Sequence, residues 1–65
     1  MLIKGHRYIV KRVSYMSIFH IGDSVVALES GTKVIATLDK KYKEVGYKVT
    51  AQYIDMITSD DVEEA

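Results

Sequence analysis

The sequence predicts an all-β domain, a small five-stranded barrel, and three observations support this. Short runs rich in β-branched and aromatic residues recur along the 65 residues, and such runs are typical of strands. A Gly22-Asp23 turn leads into the apolar run at residues 25–28. A second apolar segment, residues 53–57, follows close to the C-terminus. A domain of this size buries only about 60% of its unfolded surface, so its strands must share one core.

The first half of the chain contains two predicted strands and one long loop. Residues 8–13 are rich in β-branched and aromatic side chains, which indicates the first strand. Residues 14–20 contain both serines and apolar side chains and are predicted to form a long first loop. Residues 21–23 form a turn, because glycine accepts a positive φ and aspartate accepts hydrogen bonds from nearby backbone N–H groups. Residues 24–29 form the second strand.

The middle of the chain predicts a hairpin followed by a loop. Residues 30–32, Ser-Gly-Thr, suit a tight connection with glycine in the left-handed conformation. Residues 33–38 form the third strand, which pairs with the second. Residues 39–46 form a charged loop, because so short a stretch ending in Val-Gly cannot make much of a helix.

Three short elements then complete the barrel, and a tail follows. Residues 47–51 alternate between apolar and polar side chains and form the fourth strand. Residues 52–54 form one tight helical turn, and residues 55–58 form the last strand. Residues 59–65 contain too little apolar surface to pack, so we expect a frayed or disordered acidic tail. The alternative for this tail is a short terminal helix capped by its serine.

The sequence therefore predicts one domain, residues 1–58, and an acidic tail, residues 59–65. Charge is also divided along the chain, at a different point. Residues 4–48 hold all nine basic residues and four acids, which gives them a net charge of plus five, and from residue 49 onward there are five acids and no base. A basic body with an acidic tail bears on partners and solubility rather than on fold.

The composition indicates a binding protein rather than an enzyme. There is no cysteine, so a disulfide framework and a cysteine-based zinc site are excluded. His6 and His20 lack the short spacing of a metal site. The sequence contains neither a nucleophile elbow nor a glycine-rich phosphate-binding motif. We expect no catalysis, no metal and no cofactor.

The hydropathy pattern predicts a cytoplasmic protein. The first residues lack the apolar core of a signal peptide, and no run approaches the 18 apolar residues of a membrane span. We therefore expect no membrane partner. A chain this small is expected to be a monomer or a weak homodimer.

The order of these features resembles the SH3-like small barrel. The resemblance covers residues 8–57 and rests on the five strands, the long first loop, Gly22-Asp23, the tight hairpin, and the Tyr53-Ile54 pair after Gly46. The chain is also similar to small bacteriophage accessory proteins of this fold, in being short, rich in Lys and Tyr, and without Cys. If the source is a virus, the resemblance implies the host cytoplasm as the compartment.

The departures from the SH3-like pattern limit what this resemblance implies. Peptide-binding members carry Ala-Leu-Tyr-Asp-Tyr in the first strand and loop, where this chain has Tyr-Ile-Val-Lys-Arg at residues 8–12. They also carry a Trp pair, a groove Pro and an acidic first loop. This chain has neither Trp nor Pro, and residues 14–21 contain no acid. Binding of proline-rich peptides is therefore not implied.

The preferred functional hypothesis is a protein-binding module, a viral accessory protein that binds and modulates a host protein. The candidate contacts are the apolar side chains of the first loop and the basic cluster of the second. They are Tyr15, Met16, Ile18, Lys40, Lys41, Tyr42 and Lys43. Tyr8, Phe19 and Tyr53 are assigned to the core instead, since a small barrel must fill its interior.

The alternative hypothesis is a nucleic-acid-binding barrel that uses its basic body. The candidate contacts lie on either side of the first strand: Lys4, Arg7, Lys11 and Arg12. Basic side chains neutralise phosphates and make binding salt-dependent. In this hypothesis the acidic tail competes for the same surface, and its removal would tighten binding. A third possibility is a structural subunit that adds its edge strand to a larger assembly.

Overall fold

Five antiparallel strands form one sheet that curls into a half-barrel in the computed structural model, which describes residues 1–45 and 53–65. In chain order the strands are β1 (Arg7–Val10), β2 (Ser24–Ala27), β3 (Lys33–Leu38), β4 (Ile54–Thr58) and β5 (Val62–Glu64). In the sheet they lie in the order β4-β3-β2-β1-β5. The all-β prediction is confirmed, and β4 and β5 are the two edges of the sheet formed by the described residues.

The predicted Gly-Asp turn lies at one end of the β1–β2 pair. The Asp23 N–H donates to the His20 carbonyl (3.0 Å), and Gly22 has a φ of 94°. This is a turn that needs glycine at its third position. The Gly22 N–H donates to the Val10 carbonyl (2.8 Å), while the Val10 N–H donates to the Asp23 carbonyl (3.0 Å). Two residues therefore oppose one, which is a β-bulge.

A second turn of the same kind lies at the other end of the pair. The His6 N–H donates to the Ile3 carbonyl (3.0 Å), and Gly5 has a φ of 84°. The Gly5 N–H donates to the Ala27 carbonyl (2.8 Å), and the Ala27 N–H donates to the His6 carbonyl (3.1 Å). Bulges bend a strand pair and increase its twist. Bulges at both ends of β1–β2 account for the curl of the sheet.

The inner face of the curled sheet holds the core. Its buried side chains are Leu2, Tyr8, Val10, Phe19, Val25, Ala27, Val34, Ala36, Ile57 and Val62. Tyr8 and Phe19 were predicted there and are buried. Tyr53 is only half-buried, and its ring lies under the ammonium group of Lys41, with 4.7 Å between Nζ and the ring centroid.

The segment after β3 folds back over the outer face of the sheet. It forms a 3-10 turn (Asp39–Lys41) and one helical turn, α1 (Tyr42–Val45). The 3-10 turn contacts β2, and α1 contacts β3. These residues were predicted to form a charged loop with little helix, and the structure gives them two short helical turns. Packing on the sheet stabilises a helical turn too short to form alone.

Thr37 has no exposed surface, and its hydroxyl has no hydrogen-bond partner among the described residues. Burying an unpaired hydroxyl costs about 1 to 3 kcal/mol. We expect Thr37→Val, which is nearly isosteric, to raise the free energy of unfolding by about 1 kcal/mol. Urea denaturation followed by circular dichroism measures this.

Thr37→Ser is the matched control for this substitution. It keeps the hydroxyl and removes one methyl group, so it should lower the free energy of unfolding by about 1 kcal/mol. A loss of stability in Thr37→Val would mean that the hydroxyl has a partner.

Several predicted boundaries need correction in the second half of the chain. The predicted fourth strand, residues 47–51, lies outside the described residues. The predicted helical turn at 52–54 was wrong at its last position, because Ile54 begins β4. Residues 55–58 do form a strand, but β4 is followed by a 3-10 turn (Ser59–Asp61) and then by β5.

The predicted disordered tail was also wrong, because it forms the last strand of the sheet. β5 pairs with β1 in the register Val10↔Val62, Ile9↔Glu63 and Tyr8↔Glu64. The Lys11 and Arg12 N–H groups both donate to the Asp61 carbonyl (2.8 and 3.1 Å). Val62 is the single apolar side chain that the tail buries, and pairing with β1 stabilises a segment whose composition alone predicts disorder.

Candidate functional site

The first loop, residues 11–23, presents two of the three most exposed large apolar side chains among the described residues. Its tip is a turn in which the Ser17 N–H donates to the Ser14 carbonyl (3.1 Å). The two residues inside this turn are Tyr15 and Met16, which are 98% and 81% exposed. Large apolar groups held in water at a turn indicate an interaction surface.

Buried contacts fix the loop just beyond its tip. Phe19 belongs to the core and is 2% exposed. Its N–H donates to the Ser17 hydroxyl (3.1 Å), and the neighbouring Ile18 N–H donates to the Asp55 carboxylate on β4 (3.0 Å). The tip is therefore fixed to the core through Phe19 and to β4 through Ile18.

The two ends of the loop are held as well. The Arg12 guanidinium donates to the Asp60 carbonyl (2.6 Å) and lies 3.4 Å from the Asp61 carboxylate. At the other end the Asp23 carboxylate accepts from the His20 N–H (2.9 Å). A loop fixed at both ends and in the middle loses little conformational entropy when a partner binds.

The surface around the tip is apolar and carries no negative charge of its own. Val13, Ile18 and Ile21 are exposed in the same loop, and residues 13–22 contain no acid. We define the first-loop surface as Val13, Tyr15, Met16, Ile18 and Ile21. Aromatic residues and methionine are the types enriched where proteins bind one another.

The structure brings only part of the second predicted contact set to this surface. Ile18 and Lys40 line one open groove, together with Leu38 and Asp39. Lys41 is turned towards the ring of Tyr53. The Tyr42 side chain lies beside Gly5, which precedes β1, and its hydroxyl is 4.0 Å from the point where a Cβ on Gly5 would lie.

Lys43 is exposed on α1. Of the four residues predicted in the second loop, Lys40 is therefore the one that lines a groove with the first loop. The remaining three belong to the segment that covers the outer face of the sheet.

The four residues of the nucleic-acid hypothesis do not form one free basic patch. Arg7 Nε lies 2.9 and 3.0 Å from the two carboxylate oxygens of Asp39, which also accepts from the Ser24 hydroxyl (3.2 Å). Arg12 is held by the turn before β5. Lys4 and Lys11 are exposed, and among the described residues neither has an acidic side chain within 4 Å.

The part of the chain that the structure describes contains no group of three His, Asp or Glu side chains placed to hold a metal ion. Within residues 1–45 and 53–65 there is also no helix long and apolar enough to cross a membrane.

Comparison with family models, with curated proteins and with solved structures finds no match for this chain. The site is therefore interpreted from its own geometry.

Asp55 supports the candidate site through the Ile18 N–H and was not predicted from the sequence. It lies in the apolar run Ile54–Thr58, at a position whose register partner, Ala36, faces the core. An acid on the inward face of a strand is unusual, so its position in the sequence pattern could have indicated a special role for Asp55. What it contacts depends on a loop 37 residues away in sequence, which the local pattern does not reveal.

Proposed function

We propose that the protein is a non-catalytic protein-binding module whose main contact is the first-loop surface. The observation that supports this most directly is the pair of exposed side chains at the tip, Tyr15 and Met16, on a loop that is fixed to the core and to β4. Interface energy is concentrated in a few such anchors, tyrosine prominent among them. Lys40, beside Ile18, supplies positive charge at the rim.

We also infer that the half-barrel is of the SH3-like class. The strand order, the long first loop, the Gly22-Asp23 turn and the single 3-10 turn before the last strand support this. The proposal that the protein is a viral accessory factor acting on a host protein in the cytoplasm rests on the composition of the sequence. Action by binding rather than by chemistry is part of the same proposal.

The nucleic-acid alternative has weaker support. Both arginines of its candidate set already pair with carboxylates, Arg7 with Asp39 and Arg12 with Asp61. The acidic segment is a strand of the sheet, so it cannot simply swing away from a basic surface. Salt-sensitive oligonucleotide binding that disappears in Lys4→Ser/Lys11→Ser would favour this alternative over the first-loop surface.

The double variant Tyr15→Ser/Met16→Ser tests the protein-binding proposal. Because both side chains are exposed, stability should change by no more than about 0.5 kcal/mol. Affinity for the partner should fall at least roughly thirtyfold, the equivalent of about 2 kcal/mol. The measurement is quantitative affinity capture from cell extract, followed by calorimetric titration of the captured protein.

Ile3→Ser is the matched control, since Ile3 is an exposed apolar residue outside the first loop. A partner recovered by the wild type and by Ile3→Ser, and lost with the double variant, supports the proposal. Equal recovery by all three proteins, or no specific recovery by the wild type, contradicts it.

A further inference from the structure

Among residues 1–45 and 53–65, β4 is an edge strand, and its outward backbone groups can be identified from its register. β3 and β4 pair as Val34↔Ile57 and Ala36↔Asp55, and the Ser59 N–H continues this ladder by donating to the Thr32 carbonyl (2.9 Å). In an antiparallel pair, alternate residues direct their N–H and C=O groups towards the neighbouring strand.

Residues 55, 57 and 59 therefore bond to β3. Ile54, Met56 and Thr58 direct their backbone groups away from the sheet. Such a row of outward N–H and C=O groups is a template for another strand.

Asp55 occupies the centre of this edge. One of its carboxylate oxygens, Oδ1, accepts from the Met56 N–H (2.7 Å), which is the middle outward donor. The other, Oδ2, accepts from the Ile18 N–H (3.0 Å) and so holds the first loop beside the strand. Inward-pointing charges and covering loops are two devices by which natural sheets protect their edges. Asp55 is itself the inward-pointing charge, and its bond to the Ile18 N–H holds the covering loop in place.

We propose that the β4 edge is a site for antiparallel pairing with a second copy of this chain, and that Asp55 keeps it closed. A two-fold axis through Met56 would let the Met56 residues of the two copies exchange both backbone hydrogen bonds. Ile54 of each copy would pair with Thr58 of the other, which gives up to about six bonds in all.

The side chains suit a second copy as the occupant. In this register Asp55 lies opposite Ile57 of the second copy, so no like charges face each other across the pair. On the outer face, Met56 and its cross-strand neighbour Ile35 are 47% and 36% exposed. The two-fold axis would place these apolar pairs against each other. The chain contains no proline to interrupt the edge. This proposal does not depend on the function of the first loop.

Removing the Asp55 carboxylate should open the edge. In Asp55→Ala the Ile18 N–H loses its acceptor, so its hydrogen exchange should accelerate relative to the wild type. Self-association, measured by sedimentation over a concentration series, should strengthen roughly tenfold or more. Asp60→Ala removes the same charge from an exposed neighbour and should leave both measurements unchanged.

A double variant identifies the surface involved. Asp55→Ala/Met56→Lys places two lysines opposite each other on the two-fold axis, and like charges directly opposite destabilise a strand pair. It should return to the wild-type association state while keeping the faster exchange of the Ile18 N–H.

Two results would overturn the proposal. One is Asp55→Ala that associates no more strongly than the wild type. The other is a double variant that associates as strongly as the single one. If Asp55→Ala does not fold, Asp55→Asn, which keeps the shape and loses the charge, takes its place in the same comparison.

Discussion

Deleting residues 59–65 is expected to unfold the domain rather than to uncover a binding surface. The deletion removes β5, the buried side chain of Val62 and the Asp61 carbonyl that accepts from Lys11 and Arg12. Burial of a valine contributes about 1.5 to 3 kcal/mol. Each lost hydrogen bond costs about 1 kcal/mol. A chain of this length has a total stability of roughly 3 to 10 kcal/mol.

The control for this deletion keeps the strand and removes its free charges. Asp60→Asn/Glu63→Gln/Glu64→Gln neutralises the three exposed acids of this segment and leaves Asp61 and Val62 in place. This variant should unfold within about 1 kcal/mol of the wild type in urea, since exposed charges contribute little. A deleted chain that stays folded with an unchanged urea midpoint would show that β5 is dispensable.

Phe19→Ala is the second substitution with a large expected effect, because Phe19 joins the first loop to the core. The side chain is 2% exposed and contacts the core on the inner face of the sheet. Truncating a buried phenylalanine costs about 3 to 5 kcal/mol, which is most of the stability of so small a domain. The variant should be largely unfolded at 25 °C, as measured by urea denaturation.

Two further variants separate the core role of Phe19 from a role confined to the loop. Phe19→Leu keeps an apolar side chain in the core and should cost less than about 2 kcal/mol. Tyr15→Ala removes an aromatic ring from the same loop, but the ring is exposed, so stability should change by no more than about 0.5 kcal/mol. If Phe19→Ala keeps wild-type stability and only the hydrogen exchange of the Ile18 N–H accelerates, then Phe19 positions the loop and does not stabilise the core.

The first half of the fold could be predicted from sequence because its signals are local. The Gly22-Asp23 turn and the third strand, Lys33–Leu38, lie where the pattern places them. A glycine that must adopt a positive φ, and a run of β-branched residues, restrict the backbone whatever lies nearby. Tyr15 was predicted as a contact because it lies in the first loop, and it is exposed.

The second half was predicted less well because its elements form only on the sheet. α1 has four residues and β5 has three, and neither length is stable alone. The acidic composition of residues 59–65 indicates disorder when they are considered alone. These residues are nevertheless ordered, because β5 pairs with β1. Without β5, the backbone N–H and C=O groups on that side of β1 would have no strand partner.

The sequence predicted part of the candidate site, but not the contacts that support it. The sequence indicated Tyr15, Met16 and Ile18 as contacts, and all three are exposed. That the loop is fixed by Asp55, and that Arg12 is held by Asp60 and Asp61, requires segments far apart in the chain to meet.

By itself, then, the sequence determined the all-β class, the turn at Gly22 and an apolar stretch of the first loop, residues 13–22, that contains no acidic residue. These follow from side-chain periodicity and from the φ angles that glycine allows, which are properties of neighbouring residues. The tertiary structure alone decided that the acidic segment is a strand, that both arginines are paired, and that one carboxylate joins the loop to the β4 edge. Those outcomes depend on which groups lie beside one another after the sheet curls, because a hydrogen bond or an ion pair forms only at short range.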